Sequence, residues 1–249
     1  MPQKNKSSNK TFLLVHGAWH ASWCWERIAK QLSYQGHQVI TPDLRGHGSN
    51  SCAANVVSFN DYVTGITELI QRQPEPVTLV GHSMAGLIIS QVAEHIPDHV
   101  RELVFIAAYI PQHQQSLLSI AEESASREVS PLLIIDQKNQ EIRLKSAPET
   151  INVFFNRCKQ EDADYASSKL QAQPLQPFMQ QVTLGKHFAN VAKKSLICRH
   201  DRAIYLKDQL RMSQRVTDNI VYLDADHAAY YSGAGDIVRV LDGGRPRVL

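Results

Sequence analysis

Short apolar runs rich in β-branched residues alternate with longer segments of helical periodicity along most of this chain. Such alternation predicts a mostly parallel, twisted β-sheet with helices on both faces, because parallel strands need a crossover that is usually a helix. The fold class is therefore α/β. The elements expected in the first half of the chain are strand 11–16, helix 22–34, strand 37–41, a helix from Ser58 to Pro74, strand 77–80, helix 84–96 and strand 102–108.

The alternation stops after Pro111 and returns near residue 195. In between, residues 132–144 predict a hairpin around Lys138 and Asn139, and residues 150–175 favour helix in pieces. The returning elements are strand 195–199, helix 207–215, strand 219–223 and a helix near 236–241. We expect residues 11–111 and 195–242 to form a core, 112–194 to form an inserted lid, and 1–10 and 243–249 to be flexible tails.

Charge and hydropathy exclude several classes of protein. Lys and Arg total 26 against 24 Asp and Glu, so a formal net charge of +2 gives no basic surface for nucleic acid. The longest apolar stretch, 103–110, is shorter than the roughly 20 residues that cross a bilayer. The run 12–15 is shorter than the core of a signal peptide, about 7 to 15 residues. We expect a cytoplasmic protein without nucleic-acid or membrane partners, and the sequence does not indicate its oligomeric state. We expect its four cysteines to be reduced thiols: Cys24, Cys52, Cys158 and Cys198.

Ser83 lies where strand 77–80 turns into the next helix, within the sequence GHSMAG of residues 81–86. Such a turn strains the backbone of its serine, so the residues two positions away must be small, as Gly81 and Ala85 are. The hydroxyl then projects at the carboxyl edge of the sheet, beside a helix N-terminus that stabilises anions. Taken alone, the motif also fits a tight turn in which serine is merely small and polar.

A serine hydroxyl needs a base to become a nucleophile, and the base needs a carboxylate that fixes its tautomer. His227 follows strand 219–223 by a short loop, so it should reach the same edge of the sheet as Ser83. Asp201 closely follows strand 195–199 and completes the order serine, acid, histidine. We therefore expect Ser83, Asp201 and His227 to be the catalytic residues.

We expect structural roles for other polar residues near these positions. Asp224 and Asp226 share the loop of His227, and we expect them to cap a helix or to face solvent. His16 and His82 lie in or beside strands, where packing or hydrogen bonding to the backbone is expected. Some related folds carry the catalytic acid after the earlier strand, here strand 102–108. Residues 107–115 contain no carboxylate, so that position for the acid is excluded.

The loop after the first strand should help to stabilise a developing negative charge. Gly17 permits close approach of the backbone, so we expect the N–H groups of Ala18 and Met84 to form an oxyanion hole. An ordinary strand-to-helix loop is the alternative.

A metal site is a further alternative, built from His200, Asp201, Asp224, Asp226 and His227. The spacing of these residues matches no helix-based zinc motif. The chain also lacks a G-x-G-x-x-G or phosphate-binding loop. We therefore expect neither a metal nor a nucleotide cofactor.

Five segments together resemble the α/β-hydrolase superfamily: LLVHGAWHASWCW at 13–25, DLRGHG at 43–48, GHSMAG at 81–86, HDRAI at 200–204 and DADHA at 224–228. The branch they resemble holds plant methylesterases, hydroxynitrile lyases and related bacterial esterases. The resemblance implies Ser83, Asp201 and His227 as the triad, with Ala18 and Met84 at the oxyanion hole. The lyases of this branch carry threonine at the position of Gly17 and lysine at that of Ala228, so the departures favour ester hydrolysis.

Aromatic residues of the lid segment and the oxyanion loop are candidates for an apolar pocket, and packing within the lid is the alternative for each. We expect substrate contacts from Trp19, Phe154, Phe155 and Phe178, with Met179 nearby. The main hypothesis is a cofactor-free serine esterase that cleaves a small, fairly apolar carboxylic ester through an acyl-enzyme. Two alternatives stay open: a lactone or thioester hydrolase or a lyase that uses the same triad, and a low-turnover ligand-binding protein of the same fold.

Overall fold

The computed structural model of the protein describes residues 9–146 and 148–247. This part of the chain contains nine β-strands: β1 (Thr11–Val15), β2 (Gln38–Ile40), β3 (Val77–His82), β4 (Val100–Ile106), β5 (Leu133–Asp136), β6 (Glu141–Leu144), β7 (Gln173–Pro174), β8 (Lys193–Cys198) and β9 (Ile220–Leu223). It also contains eleven α-helices: α1 (Glu26–Tyr34), α2 (Phe59–Gln71), α3 (Ala85–His95), α4 (Leu117–Glu123), α5 (Glu149–Phe154), α6 (Gln160–Lys169), α7 (Gln176–Met179), α8 (Lys186–Asn190), α9 (Leu206–Ser213), α10 (Ala229–Ser232) and α11 (Ala234–Leu241).

Six strands form one parallel sheet in the order β2-β1-β3-β4-β8-β9. Every residue of β3 is buried, because this strand lies inside the sheet with helices on both faces. The six strands are those that the sequence predicted, with ends that differ by at most two residues. The α/β fold class is therefore confirmed.

Two predicted helices show how local sequence sets the ends of elements. Ser58 caps α2, since its Oγ accepts the N–H of Asp61 at 3.2 Å while the Asp61 carboxylate accepts the N–H of Ser58 at 2.7 Å. This reciprocal pair satisfies two donors that the first turn leaves free. The helix predicted at 22–34 begins instead as a 3-10 helix, Ser22–Trp25, and becomes α-helical at Glu26.

The chain reverses its direction across the sheet between β1 and β3. From β1 it passes through α1 to β2 on one side, and then through α2 to β3 on the other. Right-handed crossovers place these helices on opposite faces, and accordingly α1 packs against α10 and α11 while α2 packs against α3. A crevice therefore opens at the carboxyl ends of β1 and β3, where open α/β sheets bind ligands.

The segment between β4 and β8 is inserted between two neighbouring strands of the sheet. It carries α4 to α8 and a small antiparallel sheet in the order β5-β6-β7. The predicted hairpin is present as β5 and β6, and α5 and α6 supply the helical pieces. The sequence carries no signal for β7, because two residues that include a proline show no strand periodicity.

Hydrogen bonds to the loops of Trp19 and His227 are among those that fasten this inserted segment over the crevice. Trp19 takes part in two of them: its carbonyl accepts the N–H of Gln171 at 3.0 Å, and its indole N–H donates to the carbonyl of Ile142 at 3.1 Å. The N–H of Ala228 donates to the carbonyl of Phe154 at 3.1 Å. The Asp226 carboxylate accepts the N–H of Arg157 at 2.6 Å. The segment thus contacts both loops that flank the crevice.

The ends of the chain are only partly described. Residues 1–8 and 248–249 of the expected tails lie outside the described residues. In the C-terminal part that is described, the N–H groups of Gly244 and Arg247 bond to the Arg239 carbonyl and the Asp236 carboxylate, each at 2.8 Å. Over residues 9–146 and 148–247, no helix has the length and apolar character needed to span a bilayer.

Candidate active site

Ser83 occupies the sharp turn between β3 and α3. Its φ of 55° is a left-handed backbone conformation, which costs energy for any residue other than glycine and persists only when neighbours hold it. A Cβ atom at Gly81 would lie 2.9 Å from the carbonyl oxygen of Ala85, so this position has no room for a side chain. The small residues on both sides of Ser83 therefore make the turn possible.

The turn is locked to the end of β4 through Tyr109. The N–H of Tyr109 donates to the carbonyl of Ser83 at 3.1 Å. A Cβ atom at Gly86 would lie only 2.0 Å from the carbonyl oxygen of Tyr109. Gly86 is thus required for the close approach of α3 to the segment after β4.

His227 lies beside the Ser83 hydroxyl, with 3.1 Å between His227 Nε2 and Ser83 Oγ. Its other ring nitrogen, Nδ1, is 2.9 Å from Oδ2 of Asp201. A carboxylate accepts hydrogen bonds, so Nδ1 carries the proton and Nε2 is left to accept the proton of Ser83. All three residues are buried.

Asp201 is held by the start of the segment that leads into α9. Its Oδ1 accepts the N–H groups of Ala203 and Ile204, both at 2.8 Å. Its Oδ2 accepts the side-chain N–H of Gln209 at 3.2 Å in addition to the bond with His227. These donors fix the carboxylate in the orientation that His227 needs.

Ala18 lies in the loop after β1, and Met84 directly follows Ser83 after β3. Within the described residues, neither backbone N–H donates to a protein acceptor. Both residues and Ser83 line the same cavity. Two backbone donors that line the same cavity as the Ser83 hydroxyl can stabilise a negative charge that forms there.

Three further histidines are buried around this site, and each bonds to the backbone. His16 Nδ1 is 2.9 Å from the carbonyl of Gly17, and His82 Nε2 is 2.8 Å from the carbonyl of His227. His20 Nδ1 is 2.7 Å from the carbonyl of Ala18. The backbone bonding expected of His16 and His82 is therefore present. Burial lowers the pKa of His16 to about 3 and that of His20 to about 4, so both rings are neutral near pH 7.

The structure corrects the expectation for Asp226, which neither faces solvent nor caps a helix. This carboxylate is fully buried and accepts the hydroxyl of Ser232 at 2.7 Å and the N–H of Arg157 at 2.6 Å. Burial raises its pKa. Asp226 thus joins the loop of His227 to the inserted segment. Asp224 is exposed, as expected, and accepts His200 Nε2 at 2.5 Å.

The five residues considered as metal ligands do not converge on one point: four of them form two separate pairs, and the fifth bonds elsewhere. Asp201 bonds to His227 and Asp224 bonds to His200, while Asp226 bonds elsewhere. Over the described ranges, no group of three or more His, Cys, Asp or Glu side chains is arranged to hold a metal ion. The geometry of these residues serves hydrogen bonding.

A cavity of about 380 Å³ opens above Ser83 and His227. Three of the expected substrate contacts line it, namely Trp19, Phe154 and Phe178. The structure does not place Phe155 there: it directly follows the last residue of α5, and its buried ring lies 6.5 Å from that of His20. Met179 is also absent from the lining and is exposed.

Several other residues of the cavity wall were not singled out by the sequence. They share an apolar character and include Tyr109, Leu117, Val129, Leu133 and Ile204. Tyr109 follows the carboxyl end of a strand, a position that often carries site residues and was open to prediction. The others lie in the inserted segment or in the loop after β8, and their positions in the sequence do not indicate that they line this cavity.

Comparisons with known proteins show which family and which solved folds this chain is similar to. Residues 12–240 match the profile of the Alpha/beta hydrolase family. Norfluorocurarine synthase 1 of a Strychnos species is 28% identical to this chain over 93% of the chain and 94% of that protein. Putative methylesterase 11, chloroplastic, of Arabidopsis thaliana is 28% identical over 89% of this chain and 60% of that protein.

A solved pyrethroid hydrolase from Sphingobium faniae JZ-2 has a TM-score of 0.85 and 21% identity, covering 94% of this chain and 96% of that chain. At this identity the likeness shows the fold alone. The curated relatives confirm the branch that the sequence motifs resemble. From the family match and the parallel sheet with its inserted segment, the chain belongs to the α/β-hydrolase family.

Proposed function

We propose that the protein is a serine-dependent hydrolase of carboxylic esters. The observation that carries this proposal is the continuous hydrogen-bonded set from Ser83 Oγ through His227 to Asp201, with distances of 3.1 and 2.9 Å. Relatives named methylesterases support an ester-hydrolysing enzyme as the broader class.

The proposed reaction starts when Ser83 Oγ attacks the carbonyl carbon of the ester while His227 Nε2 takes the hydroxyl proton. The N–H groups of Ala18 and Met84 donate to the resulting oxyanion, and Asp201 holds the imidazolium. His227 then gives its proton to the leaving alcohol, and an acyl-enzyme remains on Ser83. Water attacks this intermediate with the help of the same base, which releases the acid and restores the hydroxyl.

The cavity supports a small, fairly apolar ester as substrate. At about 380 Å³ it lies at the lower end of the size of small-molecule sites. The rings of Phe154 and Phe178 each meet Trp19 edge to face, with centroids 5.9 and 5.8 Å apart. Because Phe154 and Phe178 belong to the inserted segment, we assign residues 112–194 the role of a lid over a core of 11–111 and 195–242.

The proposed chemistry needs neither a metal ion nor an organic cofactor, since His227 moves the proton and backbone donors stabilise the charge. The four cysteines are free thiols, which supports the cytoplasm as the proposed location.

Cyanohydrin cleavage is disfavoured by two positions. A Cβ atom at Gly17 would lie 2.9 Å from Cβ of Ser83, so the threonine of the lyases does not fit here without a shift of the backbone. Ala228 supplies no charge at the position where the lyases carry lysine. Lactone and thioester hydrolysis would use the same residues as ester hydrolysis. A ligand-binding protein with little turnover would not need the complete hydrogen-bonded set.

Turnover of p-nitrophenyl esters of increasing acyl length tests the proposal, with lactones and thioesters in parallel. Wild type should hydrolyse the short esters repeatedly, and Ser83→Ala should lose about 10³-fold or more of kcat. Ser168→Ala changes an exposed serine on α6 and serves as the matched control, with unchanged kcat. Equal rates for wild type and Ser83→Ala would rule the proposal out.

A further inference from the structure

The backbone on both sides of Ala18 is held by buried imidazoles. The carbonyl of Gly17, which belongs to the same peptide group as the Ala18 N–H, accepts His16 Nδ1–H at 2.9 Å. The carbonyl of Ala18 itself accepts His20 Nδ1–H at 2.7 Å. His16 and His20 are 0% and 1% exposed. His16 thus holds the peptide whose N–H faces the proposed oxyanion, and His20 holds the next peptide, between Ala18 and Trp19.

The hydrogen-bond partners determine which nitrogen carries the proton in each ring. His16 Nε2 accepts the N–H of Leu44 at 3.1 Å, so its Nδ1 is the donor. His20 Nδ1 must donate, because the Ala18 carbonyl can only accept. His20 Nε2 therefore accepts the hydroxyl of Tyr230, at 2.6 Å. The hydrogen-bonded path runs from Tyr230 through His20 to Ala18.

Tyr230 ties this path to the segment that carries His227. It lies on α10, which begins two residues after His227, and its hydroxyl and ring are buried. The ring packs against that of His82, with centroids 5.3 Å apart. Since His82 bonds to the carbonyl of His227 at 2.8 Å, Tyr230 is fixed on the same support as the base. The loop of the oxyanion donor and the loop of the base are therefore joined through one buried hydrogen-bond pair.

The oxyanion loop needs such support because its backbone is strained. Trp19, directly after Ala18, has a φ of 64°, a conformation that a bulky residue adopts only when its surroundings hold it. Gly17, directly before Ala18, has no side chain to restrict its rotation. Loss of the bond from His20 would free the Ala18–Trp19 peptide to rotate, and the flexibility at Gly17 would let the Ala18 N–H turn with it.

We propose that His20 and Tyr230 are positioning residues that aim the Ala18 N–H at the oxyanion. Neither residue lines the cavity, so both act through the backbone of Ala18 without touching substrate. The inference rests on the proposed function, because it assigns them a role in the same reaction. A donor that points correctly stabilises the tetrahedral intermediate more than the bound ester, so its misalignment lowers kcat more than it raises KM.

Tyr230→Phe is the sharpest test, because it removes one hydroxyl and keeps the ring. The matched control is Tyr231→Phe, at a neighbouring hydroxyl that makes no hydrogen bond within the described residues; its ring contact with the Arg27 guanidinium survives the change. We would measure kcat and KM for p-nitrophenyl butyrate, and Ki for an alkyl boronic acid that forms a tetrahedral adduct with the serine. Tyr230→Phe should lower kcat and raise Ki by about tenfold each, with KM within about twofold, while Tyr231→Phe stays near wild type.

A second pair of variants separates positioning from packing. In His20→Gln, the side-chain amide can donate to Ala18 and accept from Tyr230, whereas His20→Leu does neither. His20→Gln should therefore retain more kcat and boronic acid affinity than His20→Leu, and thermal melting would establish that each variant is folded. If His20→Leu does not fold, Tyr230→Phe and His20→Gln decide the matter.

The inference is overturned if folded Tyr230→Phe keeps both kcat and boronic acid affinity within about twofold of wild type. It is also overturned if kcat falls while boronic acid affinity stays unchanged, since the effect would then be structural. Ser83→Ala is assayed beside these variants. If it stays active, the proposed function itself fails and the inference with it; if it is inactive and Tyr230→Phe is unaffected, only the positioning role fails.

Discussion

His227 Nε2 lies 3.1 Å from Ser83 Oγ, although 144 residues separate the two along the chain. They meet because both follow strands whose carboxyl ends share one edge of the sheet, β3 for Ser83 and β9 for His227. In the sheet, β4 and β8 lie between those strands, so the loop of His227 returns across the edge. Asp201 follows β8 and meets the ring on this route. Because β8 lies between β3 and β9, the strand order places Asp201 next to the path that the loop of His227 takes from β9 toward Ser83.

Asp201→Asn tests whether the carboxylate fixes the tautomer of His227. The amide can present N–H to Nδ1 and favour the wrong tautomer, so kcat should fall by about 10⁴-fold with little change of fold. Asp224→Asn alters an exposed carboxylate in the loop of His227 and should leave kcat within about threefold. Steady-state hydrolysis of p-nitrophenyl acetate measures both. Comparable rates for the two variants would contradict the role given to Asp201.

Alanine substitutions at Gly86 and Gly65 should change the free energy of unfolding in opposite directions. A Cβ atom at Gly86 would lie 2.0 Å from the carbonyl oxygen of Tyr109, so Gly86→Ala should destabilise by about 2 to 3 kcal/mol or more. At Gly65, within α2, no atom lies within 4 Å of such a Cβ, and alanine is the better helix former. Gly65→Ala should stabilise by about 0.5 to 1 kcal/mol. Urea unfolding of both variants decides, and a neutral Gly86→Ala would show that α3 does not need this close approach.

Acid should destabilise the fold through its buried histidines. Burial lowers the pKa of His16 to about 3 and of His20 to about 4, and it lowers that of His82 well below the ordinary value. Below about pH 6.5 the unfolded chain therefore binds protons that the folded chain does not, so stability falls as the pH falls. Each imidazole contributes a slope of about 1.4 kcal/mol per pH unit in that window. Urea unfolding at pH 7.5, 6.5 and 5.5 measures the slope, and equal stability at all three would contradict this prediction.

The parallel sheet could be predicted because each of its strands is an apolar run bounded by turn residues. Such a pattern is local, since it involves only residues close together in the sequence. The site residues were open to prediction for a similar reason: Ser83, Asp201 and His227 each follow such a strand, and parallel strands end at one edge. Their placement needed no knowledge of the inserted segment.

Contacts between distant segments carried no comparable signal. Asp226 is buried because the N–H of Arg157, 69 residues away, reaches its carboxylate. His20 and Tyr230 are 210 residues apart, and nothing near either residue indicates the other. Phe154 and Phe155 are neighbours of the same type, and only the end of α5 decides which one enters the cavity.

Labelling with a fluorophosphonate, followed by intact-mass measurement and peptide mapping, tests most directly whether one activated serine performs the reaction. The account predicts a single adduct on Ser83, loss of ester hydrolysis in proportion to labelling, and no adduct in Ser83→Ala. An adduct on a different residue, or full ester hydrolysis by completely labelled protein, would contradict it.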